Sequence, residues 1–194
     1  MIQRLTFLIV LMIVTAWFPG CTETNMYDYT FSFEDGLESW SEDGTDLDNP
    51  PVDWTVALSD EMSSEGDYAI KLYLNNVNDA GKIWLERSFD LEPNRTYNVE
   101  ITYDFASADF GDFNLWQIIT GVSSEEPEAA DDLMFQGDTG IGEQEGFIWL
   151  DKSYEFTAES NDDGELWVAL GVWGTWETPR TYYIDNISIS FIEQ

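Results

Sequence analysis

The sequence predicts an all-β sandwich of eight or nine antiparallel strands, and three observations carry that prediction. Apolar residues recur with a period of two over short segments, most cleanly where Tyr97, Val99, Ile101, Tyr103 and Phe105 alternate with Asn98, Glu100, Thr102 and Asp104. Clusters of Gly, Pro, Asn, Asp and Ser punctuate the chain after each such segment. No segment beyond residue 20 carries a helical period, so the pattern is that of a sandwich of short strands. With 12 Phe, 9 Tyr and 9 Trp the chain has the material for a large core, since each buried aromatic removes about 150 to 250 Å² from water. A single cysteine excludes an internal disulfide, so that core must hold the fold alone.

The strands follow in order. Tyr27, Tyr29, Phe31 and Phe33 alternate with Asp28, Thr30 and Ser32 as the first. Residues 37–51, acidic and interrupted by a glycine and two prolines, read as a long surface loop pinned by Trp40. Trp54, Val56 and Leu58 share one face of a short second strand. A turn over residues 59–67 then leads to a third with Ile70, Leu72 and Leu74 inward. The fourth places Ile83, Leu85, Phe89 and Leu91 on one parity and Trp84, Glu86 and Ser88 on the other. Arg87 falls on the inward parity, which predicts a bulge or an edge position. The fifth is the unbroken run around Ile101. In residues 113–122 both parities are apolar, with Leu115 and Ile119 opposed by Trp116, Ile118 and Val122, the pattern of a central strand covered on both sides. Residues 123–145 read as an acidic, glycine-punctuated loop. Residues 146–158 change parity between Trp149 and Tyr154, which predicts a bulge near Asp151 and Lys152.

The last 27 residues of the sandwich, 165–191, hold most of the unusual features. Leu166, Val168, Leu170 and Val172 alternate with Trp167, Ala169, Gly171 and Trp173, one face apolar and the other bearing two indoles. A loop with Trp176, Pro179 and Arg180 follows, and the closing strand sets Asp185 on the parity of Ile187, Ile189 and Phe191. A buried carboxylate must be hydrogen-bonded or sit on a cation, unless a bulge at Asp185 and Asn186 turns it outward.

At the N-terminus, Arg4 is the one charge before a 14-residue, mostly apolar run, residues 5–18, which is shorter than the roughly 20 needed to span a bilayer. Residues 1–20 read as an export signal. Phe18-Pro19-Gly20-Cys21 resembles the lipobox of prokaryotic lipoproteins, with Phe18 and Pro19 departing from its usual residues. That resemblance implies lipidation of Cys21, a short tether over residues 21–26 and a β-sandwich domain over residues 27–194, held outside the membrane through the lipid alone. The 39 acidic residues face 7 basic ones and no histidine, a formal net charge of −32. Such a surface repels phosphates and excludes nucleic acid as a partner. It resembles the composition of salt-adapted secreted proteins, in which the self-repulsion is screened.

Three short phrases carry a wider resemblance. Residues 31–40 (FSFEDGLESW), 91–97 (LEPNRTY) and 182–189 (YYIDNISI) together resemble galactose-binding-like jelly rolls, in particular the carbohydrate-binding modules found beside xylanases and cellulases. The resemblance implies a jelly roll that binds a polysaccharide or other glycan, and a structural calcium held by Glu34 and Asp185. Oxygen ligands are all this composition offers a metal. The absence of histidine removes His-based triads, and among 39 acids a carboxyl pair can always be found, so pairing alone does not argue for a glycosidase. The reading is of a non-catalytic binder, with Glu86 and Asp104 the two carboxyls to follow. Its ligand face is expected to carry Trp84, Trp116, Trp173 and Trp176, with Arg180, Gln117 and Glu86 as the polar neighbours that sugar hydroxyls require. A structural or adhesive envelope protein that buries those indoles is the alternative.

Overall fold

The computed structural model describes residues 24–107, 116–132, 134–136, 148–174 and 179–194. Residues 1–20, read as an export signal, and Cys21, Leu115 and Trp176 lie outside the described residues. Eleven strands are described: β1 (Met26–Phe31), β2 (Ser41–Thr45), β3 (Asp53–Ser59), β4 (Ala69–Asn75), β5 (Lys82–Asp90), β6 (Thr96–Ser107), β7 (Trp116–Ser123), β8 (Met134–Gln136), β9 (Ile148–Glu159), β10 (Glu165–Gly174) and β11 (Pro179–Glu193). They form two antiparallel sheets. One runs β3-β4-β11-β6-β9, with β1 continuing beside β11 where β4 ends, and the other runs β2-β5-β10-β7-β8. Among the described residues the helical content is one 3-10 turn, Ala130–Asp132.

The all-β sandwich is as the sequence predicts, but its strands exceed eight or nine because β2 and β8 fall in stretches read as loops. Each is a short sheet edge, paired on one side only, and β2 reads SEDGT, without apolar alternation. Backbone pairing to β5 alone makes it a strand.

The core lies between the sheets. Tyr97, Val99, Ile101, Tyr103 and Phe105 of β6 face Leu166, Val168, Leu170 and Val172 of β10, all essentially inaccessible. Phe31, Trp40 and Phe89 meet edge to face, with Phe31 and Trp40 centroids 5.3 Å apart, so Trp40 is indeed the pin of the acidic segment.

Four local phases differ from the sequence reading or resolve it. In β11 the register against β6 shifts between Asp185 and Ser188, with Asn186 at φ 50°. Tyr182 and Ile184 point inward before this bulge and Ile187, Ile189 and Phe191 after it, so Asp185 is turned out of the core. In β7 the inward residues are Trp116, Ile118, Thr120 and Val122, and Ile119 faces out. The sequence reading left the phase of this strand open and put Trp116 on the outer face, because a strand apolar on both faces gives no phase signal; Trp116 is in the core. Arg87 lies in an unbroken register just past the last β2 pair, an edge position without a bulge. Its guanidinium covers the Phe31 ring at 4.6 Å and donates to the Glu38 carbonyl. Finally, β9 pairs with β6 without a shift over its whole length; Trp149 simply faces outward, and the bulge expected near Asp151 does not occur.

Candidate outer-face site of the five-stranded sheet

Register fixes which side chains share the outer face of the five-stranded sheet. Three rows run across β2, β5, β10 and β7: Thr45, Lys82, Trp173 and Gln117; Asp43, Trp84, Gly171 and Ile119; Ser41, Glu86, Ala169 and Gly121. The middle of this face is small by sequence, with Gly171, Ala169 and Gly121 side by side. A Cβ at Gly171 would meet Trp84 Cβ at 2.6 Å, so the β10 glycine lets the β5 indole lie close against the strand.

Trp84 is fully buried here and donates its indole N–H to Glu86 Oε2 at 2.7 Å. Glu86 is itself 2 % exposed. Burial pushes its carboxyl up to about 7; the Trp84 hydrogen bond lowers it, and the charges of Asp43 and Glu126 add to the rise. Trp84 and Glu86 therefore form a floor rather than an open platform.

Trp173 is the half-buried indole of the face. Its N–H donates to the Asp79 carbonyl at 2.8 Å, and Lys82 Nζ lies over its ring, 4.9 Å from the centroid. Lys82 is held in turn by Asp46 at 2.9 Å and by the Ala80 carbonyl at 2.9 Å. Gln117, directly across from Trp173, is also half-buried.

The face thus brings together Trp173, Gln117, Trp84 and Glu86. It does not include Trp116, whose ring packs in the core against Phe105 at 5.3 Å and Tyr182 at 5.9 Å. Arg180 belongs to the other sheet, across from Leu74 on the inward side of β11, where burial lowers the pKa of its guanidinium. Asp104 also lies on the other sheet, away from these indoles, accepting from Ser64 Oγ at 2.6 Å. Lys82 was missed, although its parity with Trp84, two residues on, was sufficient to find it.

Glu34 and Asp185 meet around one loop. Glu34 Oε1 accepts the N–H groups of Asp67 and Tyr68, both at 2.9 Å, and a Cβ at Gly66, whose φ is +69°, would run into that carboxylate. Asp185 Oδ2 accepts from Ser64 N at 2.8 Å, Ser64 Oγ at 3.0 Å and Glu65 N at 3.2 Å, while Oδ1 accepts Asn186 N at 2.7 Å. The loop over residues 60–68 is therefore fastened at two carboxylates, to the outer face of the six-stranded sheet at Asp185 and to the turn after β1 at Glu34. As donors for calcium the two side chains fit in kind, being hard oxygens. They fall short in number, since no three acidic side chains among the described residues form a metal-holding group, so backbone carbonyls would have to complete the shell.

No protein-family model matches the chain, and no curated protein matches it. Solved structures do. The chain is similar to TmCBM61 in complex with beta-1,4-galactotriose, at TM-score 0.50 and 17% identity over 81% of this chain and 92% of that one. It is similar to a carbohydrate-binding module of the β-sandwich superfamily described as promiscuous in specificity, at TM-score 0.52 and 14% identity, covering 85% and 74% of the two chains. It is also similar to the K3 cleaved adhesin domain of Lys-gingipain from Porphyromonas gingivalis W83, at TM-score 0.55 and 14% identity over 86% and 99%. At these identities the likeness is one of fold: the chain is a jelly-roll sandwich of the kind that carbohydrate-binding modules use.

Proposed function

We propose that this chain is a non-catalytic glycan-binding module that takes a neutral polysaccharide on the outer face of its five-stranded sheet. The observation that carries the reading is Trp173, an accessible indole fixed beside the amide of Gln117 above a floor of small residues. Sugar C–H patches pack on aromatic faces, and their hydroxyls are met by a neighbouring amide. The fold, shared with TmCBM61, supports it. Neutrality of the ligand follows from the formal net charge of −32, which repels uronate-rich or sulfated chains. Lipidation at Cys21 would display the module on the outer side of a membrane, and metabolic labelling with a palmitate analogue, lost in Cys21→Ala, tests that part.

A structural calcium at Glu34 and Asp185 is a separable part of the proposal. It would cross-link the loop over residues 60–68 to the sheet and take no part in ligand contact. The first experiment is retention on insoluble neutral polysaccharides together with titration by neutral oligosaccharides, β-1,4-galactotriose among them. Trp173→Ala should abolish retention while changing stability by no more than about 2 kcal/mol. A parent protein retained on no neutral glycan would refute the reading.

One observation favours the rival, an adhesive or structural envelope domain. Of the indoles expected on the ligand face, Trp84 and Trp116 are buried. The rival predicts that Trp173→Ala leaves every glycan result unchanged and alters adhesion to cells or to protein surfaces instead.

A further inference from the structure

The turn between β4 and β5 holds Trp173 through the Asp79 carbonyl, and it is itself heavily cross-linked. Asn76 is 1 % exposed. Its Nδ2 donates to the Gly81 carbonyl at 3.1 Å and to the Gly174 carbonyl, and its Oδ1 accepts Gly81 N at 3.0 Å. One buried amide thus joins the start of β5 to the end of β10, the two strands that carry Lys82 and Trp173. The glycines are shaped to it: a Cβ at Gly81 would meet Asn76 Oδ1 at 2.6 Å, and one at Gly174 would meet Asn76 Cβ at 3.2 Å.

A second amide braces the tip. Asn78 Oδ1 accepts Ala80 N and Gly81 N, both at 3.0 Å, and Asn78 Nδ2 donates to the Asp46 carbonyl at 2.7 Å. Asp79 N donates to the Asn76 carbonyl at 3.1 Å, with Asp79 held at φ 57°. Two carbonyls are aimed by this knot. That of Asp79 receives the Trp173 indole N–H, and that of Ala80 receives Lys82 Nζ, which lies over the Trp173 ring.

We propose that residues 76–82 are a preformed clamp on Trp173 and that Asn76 and Asn78 are positioning residues for ligand binding. The clamp uses the indole N–H and lays an ammonium over the ring, so that the half-buried indole, packed on Trp84, Ile119 and Ala169, offers its remaining exposed surface in one fixed orientation. Asn76 is too deeply buried to touch a glycan; it acts through the indole it fixes. The inference rests on the neutral-glycan reading, and its structural half is measurable without any glycan. An aromatic side chain ordered before binding spares the ligand the cost of ordering it, so release of the clamp should weaken binding about 2- to 12-fold.

The full chain, purified in detergent and labelled with 5-fluorotryptophan, gives one ¹⁹F resonance per indole, and Trp173→Phe identifies the line of Trp173. That line should be narrow and shielded from solvent in the parent. In Asn78→Ala, which changes a partly exposed loop residue, it should broaden and move toward the solvent-exposed position while the other lines stay. Asn76→Asp, which keeps the acceptor and loses the two donated bonds, should do the same; if it fails to fold, Asn78→Ala decides alone. With β-1,4-galactotriose or whichever neutral oligosaccharide the parent binds, Asn78→Ala and Trp173→Phe should each weaken binding, and the double variant should be no weaker than the worse single one, because Asn78 acts only through the indole that Trp173→Phe removes. An unmoved Trp173 line in Asn78→Ala, or additive losses in the double variant, would overturn the clamp. A parent that binds no neutral glycan but whose Trp173 line still responds to Asn78→Ala would refute the ligand and retain the clamp.

Discussion

Replacing Glu86 by glutamine should stabilise the folded chain at neutral and higher pH and leave it unchanged in acid. Glu86 is buried against the sheet, and its carboxyl is raised from 4.5 to about 7, chiefly by that burial. In the unfolded chain the same group ionises near its ordinary value. Between these two values the unfolded state has already lost a proton that the folded state keeps, so the folded state binds more protons and stability falls as pH rises. At about 1.4 kcal/mol per pH unit, the raise from 4.5 to about 7 amounts to about 3 kcal/mol, lost by pH 8 and absent below pH 4.5. A glutamine oxygen can still accept the Trp84 N–H, so Glu86→Gln removes the ionisation and keeps the 2.7 Å bond. Urea unfolding of both proteins at pH 4.5, 6 and 8, followed by far-ultraviolet circular dichroism, reads the difference directly. The other acidic residues titrate in both proteins and cancel. A difference that does not grow with pH, or a glutamine variant less stable than the parent at pH 8, would refute the assignment of a buried, neutral Glu86.

Other outcomes follow from the same structure. Gly66→Ala should cost about 1 to 3 kcal/mol, read as a lowered urea midpoint, because its φ of +69° disfavours any side chain and the new Cβ would displace the Glu34 carboxylate. Chelation should lower the melting temperature of the parent through loss of calcium, and Glu34→Gln should abolish that response; a parent indifferent to chelator removes calcium from the proposal. Trp116→Ala should cost about 3 to 5 kcal/mol, the range for a truncated core aromatic, in contrast to Trp173→Ala. Molar KCl should raise the melting temperature steeply. Asp104 stands directly across from Asp151, and Glu100 directly across from Glu155, and salt screens such cross-strand pairs of like charge; Glu155→Gln should reduce the gain.

Much of this was legible because a half-buried strand writes its phase into the sequence. The inward residues of β6, β10 and β4 stand as their alternation predicts, and from β5 the outward parity of Trp84 and Glu86 was read correctly. What alternation does not carry is what lies above a face. Trp84 and Trp173 share an outer face by parity, yet one is sealed and the other half-open, a difference that alternation within their own strands does not encode. Trp116 shows a different failure: with apolar residues on both sides, β7 offers two equivalent phases, and the choice between them is made by Phe105 and Tyr182 across the core. Nor could Asn76 be found from its neighbours in sequence, since its partner Gly174 lies 98 residues away.

The contrast between the two outer faces argues for where a ligand belongs. That of the six-stranded sheet carries Asp104, Asp151, Glu100, Glu155, Ser153, Thr102 and Ser188 in register, with Trp149 and Tyr183, rings 6.5 Å apart, beyond them, and the loop over residues 60–68 is fastened over Asp185. Over its carboxylate rows a neutral glycan gains little by displacing water. The five-stranded sheet differs in its centre, where Gly171, Ala169 and Gly121 lie buried beside Trp84, with Asp43 toward the β2 edge and a Glu86 carboxyl that burial raises to about 7. A ligand at the half-open part of that face, on Trp173 and Gln117, would take the exposed part of the indole out of water. The acidic side chains in the three rows of this face are Asp43 on β2 and the buried Glu86, and the Trp173 ring that would contact an uncharged ligand is fixed by the Asp79 carbonyl and by the Lys82 ammonium over it.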